Sequence, residues 1–451
     1  MLLAGFAGCL ACSSGGATTT KTDGAAGAGA SLGGGSGQGG AIDAGSGGSG
    51  GATGRDGGGV GIAVRGFVYD KFDVAVVGAN VRIGSTIVQA GADGSFEIDD
   101  VVPPYDLDVW TAGTKTTYAT LVGRYLGLTR ADPALHFFEY VQPPHQTTLN
   151  VTLSAPLPAN EVANCQFANP ARSEAMGQAS GGVTQGSTFS MTVAWYTAAT
   201  SISGTLSCLV YKNNALDPTG YDTFASSPVT LTDGTPASAT LTLAPVSTGT
   251  LMVGVALGTS TVADLWGDIL VAGGAAHPIG NGAPIATNPG PILVPQIPGA
   301  TLTLTAEGGT ADVHIYTART GFPASATSVN LSLLAPVSVT SPADGATMVD
   351  TATPLTWSVA AGAANNVTIN PGDLKGTQFN IFTAQTSTTI PDLTAQGIPL
   401  PAGATYTWQV TSYGPSVSID DMTSPTEFPC LADLPGNCDF SVTQGSTFTL
   451  R

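Results

Sequence analysis

The chain has 451 residues, enough for two to four domains at roughly 100–200 residues each. Lys and Arg number 13 against 31 for Asp and Glu, a net charge of -18; this speaks against nucleic acid as a partner and against a polybasic membrane patch, since both need clustered bases. With 60 Gly, 30 Pro, five Lys and six Glu, the composition excludes an all-α fold, while a hydrophobic fraction of 42% supplies real cores. The expectation is an all-β chain of several tandem β-sandwich modules behind a disordered Gly/Ser-rich tether.

Residues 1–12 form a short apolar run, Met1 to Cys12. It falls short of the roughly 20 apolar residues that span a bilayer. The run resembles the end of a bacterial lipoprotein signal peptide, whose final cysteine receives lipid. Cys9-Leu10-Ala11-Cys12 followed by Ser13-Ser14-Gly15-Gly16 makes Cys12 the expected lipidation site, with Cys9 after Phe6-Ala7-Gly8 as the alternative. No Lys or Arg precedes the run, a departure from the usual n-region. The resemblance implies a cell-envelope protein held at a membrane by its lipid anchor, surface-exposed or periplasmic. Residues 13–60 hold 20 of the 60 glycines. Such a segment cannot bury enough apolar surface to offset backbone entropy, and as a coil of about 48 residues it spans about 40 Å. Two G-x-S-x-G matches in it, at Gly29–Gly33 and Gly47–Gly51, lack the strand-to-helix turn that a nucleophile elbow needs.

From 61 onward short alternating runs are punctuated by Gly, Pro, Asn and Asp. Phe67-Val68-Tyr69, Val81-Arg82-Ile83, Phe96-Glu97-Ile98, Leu107–Trp110 and Leu149–Ser154 read as strands of one sandwich over 61–156, with a turn at Asp93-Gly94. The order Val64–Asp70, Gly78–Ile83, Ala92–Ile98 and Pro103–Leu107 resembles a carboxypeptidase regulatory-like domain, a transthyretin-like sandwich grouped with carbohydrate-binding-like folds. That resemblance implies scaffolding or binding and transfers no catalytic residue.

Strands also recur over 160–335, as one module or two: Met191–Trp195, Leu241–Leu243, Leu302–Leu304, Val313–Ile315 and Ser328–Leu333. Pro289, Pro291 and Pro295 are expected to interrupt any strand near them. Over 337–428, Trp357 suits a sandwich core, and Tyr406, following the Gly403 turn, is placed like a tyrosine corner whose hydroxyl bonds upstream backbone. This part resembles a fibronectin type III or related Ig-like module. Residues 429–451 follow as a C-terminal extension. The heptapeptide Val183–Phe189 recurs there as Val442–Phe448, hinting at the start of a further module.

Chemistry-bearing residues are sparse. Outside the signal region, Cys165, Cys208, Cys430 and Cys438 are disulfide candidates; three connectivities are possible, and nearness in sequence favours Cys165 with Cys208 and Cys430 with Cys438. No zinc spacing and no His-rich motif occurs, so neither a metal site nor a cofactor is expected. His136, His145, His277 and His314 read as surface or edge residues. Asp99, Asp100, Asp106 and Asp108 read as a solvated acidic face. Trp110, Tyr118, Tyr125 and Tyr140 are candidate glycan-contact aromatics. The expected function is non-enzymatic: presentation of sandwich modules for adhesion, surface contact with protein or polysaccharide, or structural spacing. The alternative is carbohydrate binding through the aromatics of 61–156. A hydrolase site within 160–335 stands third.

Overall fold

The computed structural model describes residues 61–451 apart from 71–73, 113–117, 138–144, 170–175, 179–185, 196–198, 215–216, 259–262, 281–282, 285–286, 311, 360–363, 374, 399, 415–417 and 425–436. It is all-β, with two short 3₁₀ turns as the helical elements among these residues. Its buried apolar side chains form four cores.

The first core lies between two sheets. Ile62–Asp70 pairs with Ser95–Val101 and, in parallel, with Ala134–Phe137. Facing them is the ribbon Thr86–Gln89, Asn80–Ile83, Tyr105–Ala112, Thr120–Leu128. The turn at Asp93-Gly94 forms as expected. Gly94 sits at φ 78°, and a Cβ there would lie 2.5 Å from the Val68 carbonyl oxygen, so only glycine fits without displacement.

The strand around Leu149 forms, but not in this sandwich. His145–Leu157 pairs with Gly186–Trp195 and, in parallel, with Ala237–Leu241. Its inward residues Leu149, Val151 and Leu153 belong to the second core, together with Trp195, Leu206 and Leu231. The alternation was legible, but alternation fixes a face and not the sheet that receives it. The third core joins Leu251, Val253, Ile269, Leu304 and Leu331. One of its strands is Gly290–Pro295, where prolines were expected to forbid a strand. It is an edge strand paired on one side, with Thr248–Val253, the position where a missing N–H does no harm. The fourth core holds Trp357, Phe379, Tyr406, Trp408 and Phe448.

The C-terminal segment contradicts the expectation of a further module. Ser446–Leu450 lies in the last sandwich, antiparallel to Thr405–Tyr413 and parallel to Ala346–Val349. Phe448, from the second copy of the heptapeptide, is a core residue stacked on Tyr406. The tyrosine corner is also not made: the Tyr406 hydroxyl is buried without a hydrogen-bond partner among the described residues.

Three of the four sandwiches share one fifteen-stranded sheet. Thr377–Phe382 of the last sandwich runs parallel to Thr120–Tyr125 of the first. Cys438–Thr443 lies between Val313–Ala318 of the third and Thr411–Tyr413 of the last. At the first of these seams Tyr125 stacks on Phe382, ring centroids 4.6 Å apart. The middle of Tyr105–Ala112, from Leu107 to Trp110, is consequently buried on both faces. Leu107 and Val109 enter the first core. Trp110 turns the other way into the fourth. Asp108, beside it, is 5% exposed and lies between two cations: Arg82 Nη2 is 2.5 Å from Oδ2 and Arg124 Nε 3.3 Å from Oδ1.

Replacing Asp108 by Ala leaves both guanidinium groups without their shared carboxylate. Asp108→Ala is expected to lower stability by about 3–5 kcal/mol, the loss seen on breaking a buried ion pair; urea unfolding followed by tryptophan fluorescence measures it.

Candidate functional site

The sequence-selected aromatics do not make a platform. Trp110 is 8% exposed and Tyr125 1%. Both are core side chains for the reason just given: their strands are covered on both faces. Tyr118 is half-buried against the first core. Tyr140, like Cys9, Cys12 and Cys430, lies outside the described residues. The acidic cluster also divides. Asp99, Asp100 and Asp106 are exposed, whereas Asp108 is the buried ion-pair member. Asp106 accepts the backbone N–H of Gly127 at 3.0 Å. Among the described residues no group of three His, Cys, Asp or Glu side chains is arranged to hold a metal.

Cys165 and Cys208 are disulfide-bonded. They sit directly opposite one another on the antiparallel strands Glu161–Ala168 and Ser201–Asn214, with Cα atoms 4.0 Å apart. Cys438 is also disulfide-bonded.

Among the histidines, His314 is exposed, and His145 Nδ1 lies 3.0 Å from Asp233 Oδ2. His136 and His277 are buried, which corrects the reading of all four as surface residues. His277 is the most informative. It lies on Ala276–Pro278 of the third sandwich and is 0% exposed. Its Nδ1 donates to Asn164 Oδ1 at 2.8 Å, and its Nε2 accepts from Ser207 Oγ at 2.8 Å. Both partners belong to the second sandwich, on the face turned away from its own core. Leu209, two residues from Ser207 on the same strand face, enters the third core. Phe224 meets the imidazole edge-on at 6.1 Å.

Hydroxyl, imidazole and amide stand in the order of a nucleophile, its base and the group that orients the base. Ser207, like His277, is 0% exposed, so no substrate carbonyl reaches its oxygen. What the cluster does is join two sandwiches, with each buried polar atom given a partner. Sequence reasoning missed it because Asn164, Ser207 and His277 are far apart in the chain and match no local motif. The one sequence signal was a polar residue beside Cys165 and another beside Cys208.

Comparison with known proteins adds little to this geometry. No family model matches the chain, and no curated protein matches it. Among solved structures, the Bacillus anthracis TIE protein matches at 10% identity and a TM-score of 0.15, over 60% of this chain and 50% of that one. A streptococcal ancillary pilin matches at 9% identity and a TM-score of 0.14, over 60% of this chain and 99% of that one. The major pilin subunit of Bacillus cereus matches at 8% identity and a TM-score of 0.14, over 60% and 98%. At such scores these likenesses carry no functional argument; the β-sandwich class rests on the strands themselves.

Burial pushes the His277 pKa down from 6.5 to about 3. The folded state therefore binds this proton more weakly than the unfolded state does. Its contribution to stability is present above pH 6.5 and is lost as pH falls from 6.5 towards 3. Thermal melts across that window are expected to show this loss in the native protein and a shallower slope in His277→Gln. Loss of the Cys165–Cys208 bridge in a Cys165→Ala, Cys208→Ala double variant, which leaves the disulfide of Cys438 intact, is expected to cost about 2–4 kcal/mol, read as a lower urea midpoint.

Proposed function

We propose that this chain is a non-enzymatic cell-envelope lipoprotein, anchored through lipid on Cys12 or, alternatively, Cys9. In this reading its β-sandwich modules serve adhesion, surface contact or structural spacing. The observation that supports it best is the sharing of one sheet by three sandwiches, with the second joined to the third through His277. Domains on a string need no such seams; modules held in fixed relation do. A Gly/Ser-rich segment of about 48 residues between anchor and modules suits presentation away from a bilayer. The same reading takes the first sandwich as carboxypeptidase regulatory-like and the last as fibronectin type III or Ig-like. The two-sheet arrangement around Val64, Leu107 and Leu135 and the Trp357 and Trp408 core are its supports.

Metabolic labelling with a palmitate analogue in a bacterial host tests the anchor. The native chain is expected to carry label and sediment with membranes. Cys12→Ser is expected to lose both, or Cys9→Ser in its place. Label that persists when both cysteines are serine would overturn the lipoprotein reading.

A further inference from the structure

The shared sheet has one face that changes character along its length. Residues directly opposite one another on paired strands point to the same side. Asp264 faces Glu307, Glu307 faces Tyr316, Tyr316 faces Phe440, and Phe440 faces Tyr413. This row crosses five strands. At the Tyr413 end it is buried against the first core, beside Ala364, Phe382, Ile419 and Met422. From Phe440 outward the side chains are half-exposed, and the third core lies on the opposite face, behind Leu265, Leu304 and Ile315.

Trp266, two residues from Asp264, is on the open face, as is His314, two residues from Tyr316. The rings interlock: Tyr316 stacks on Phe440 at 4.7 Å, and Trp266 meets Tyr316 at 6.3 Å and 59°. Glu307 pairs with His314. Asp264 has no cationic partner among the described residues. Burial, and then the neighbouring charge of Glu307, push its pKa up. Arg319 belongs to the same strand as Tyr316 but is committed to Asp439, at 2.6 Å.

We propose that this open face binds a basic polypeptide by seating an arginine against Trp266, over Asp264 and Glu307. The charge of the face selects the occupant. Two carboxylates held side by side repel one another, and a cation placed between them removes that repulsion. A guanidinium is the cation that also lies flat on an indole and hydrogen-bonds a carboxylate through two N–H groups. A neutral sugar fits less well. It could use the same indole face, but it carries no charge and would leave the repulsion between Asp264 and Glu307 in place. The proposal does not depend on how the chain is anchored.

The test is fluorescence anisotropy of a labelled hexa-arginine peptide titrated with the purified full chain at 0.15 M salt. A neutral oligosaccharide of six glucose units is titrated in parallel. Trp266→Ala and Asp264→Asn are each expected to weaken peptide binding about tenfold. Asp99→Asn, which removes an exposed carboxylate on the first sandwich, is expected to leave it unchanged. Because Asp264→Asn relieves a repulsion, its melting temperature should not fall, which separates lost binding from lost fold. Equal weakening by Asp99→Asn, no change with Trp266→Ala, no binding by the native chain, or binding of the oligosaccharide in place of the peptide would each overturn the proposal.

Discussion

A sheet edge exposes a row of unpaired N–H and C=O groups, and this protein's architecture follows from how those rows are satisfied. An isolated sandwich of this size leaves several edges open. Here two of them are closed by strands of another sandwich: Thr120–Leu128 by Thr377–Thr383, and Val313–Pro323 by Cys438–Thr443. Backbone hydrogen bonds, and not side-chain docking alone, therefore connect the first, third and last cores. Side-chain burial then consolidates the seams, most plainly in the Tyr125–Phe382 stack.

Joining edges has a consequence for faces. Once the ribbon of the first sandwich continues into the last, its outer face needs a cover, and the last core supplies it. That is why Trp110 enters the last core while Leu107 and Val109 of the same strand enter the first, and why the Asp108 carboxylate can sit inside with two arginines. A residue such as Asp108 would be costly without both partners. Asp420 reinforces the same junction by accepting the backbone N–H groups of Thr129 and Arg130. Among the described residues, the join between the second and third sandwiches uses different means: Leu209 and Tyr221 pack into the third core, and a neutral imidazole is fixed between a hydroxyl and an amide.

Much of the strand content was legible in the sequence because a period of two is a local property. Phe67–Tyr69, Val81–Ile83, Met191–Trp195 and Val313–Ile315 all form as alternation and turn residues indicate. Partnership between strands is not local. Leu149–Ser154 carries the same pattern whichever sandwich receives it, and Trp110 looks like a surface aromatic until its second face is known to be covered. Pro291 and Pro295 misled because their effect depends on whether the strand is an edge. The Cys165–Cys208 pair was legible from proximity in sequence. The Asn164–His277–Ser207 cluster was not, since each member is an ordinary polar residue until the third sandwich docks on the second.

The seam strand Cys438–Thr443 also bears on how the protein is made. Its partners come from the third sandwich and the last, and the first sandwich is tied to residues that follow it by a great distance: Thr129 and Asp420 are 291 positions apart. Contacts of such separation form slowly, because the intervening chain must be ordered before they yield any stability. During synthesis the edge at Thr120–Leu128 emerges long before the strand that closes it. Until Thr377–Thr383 has been made, that edge is open to pairing with other chains, so a nascent molecule of this design depends on being shielded from its neighbours over that interval.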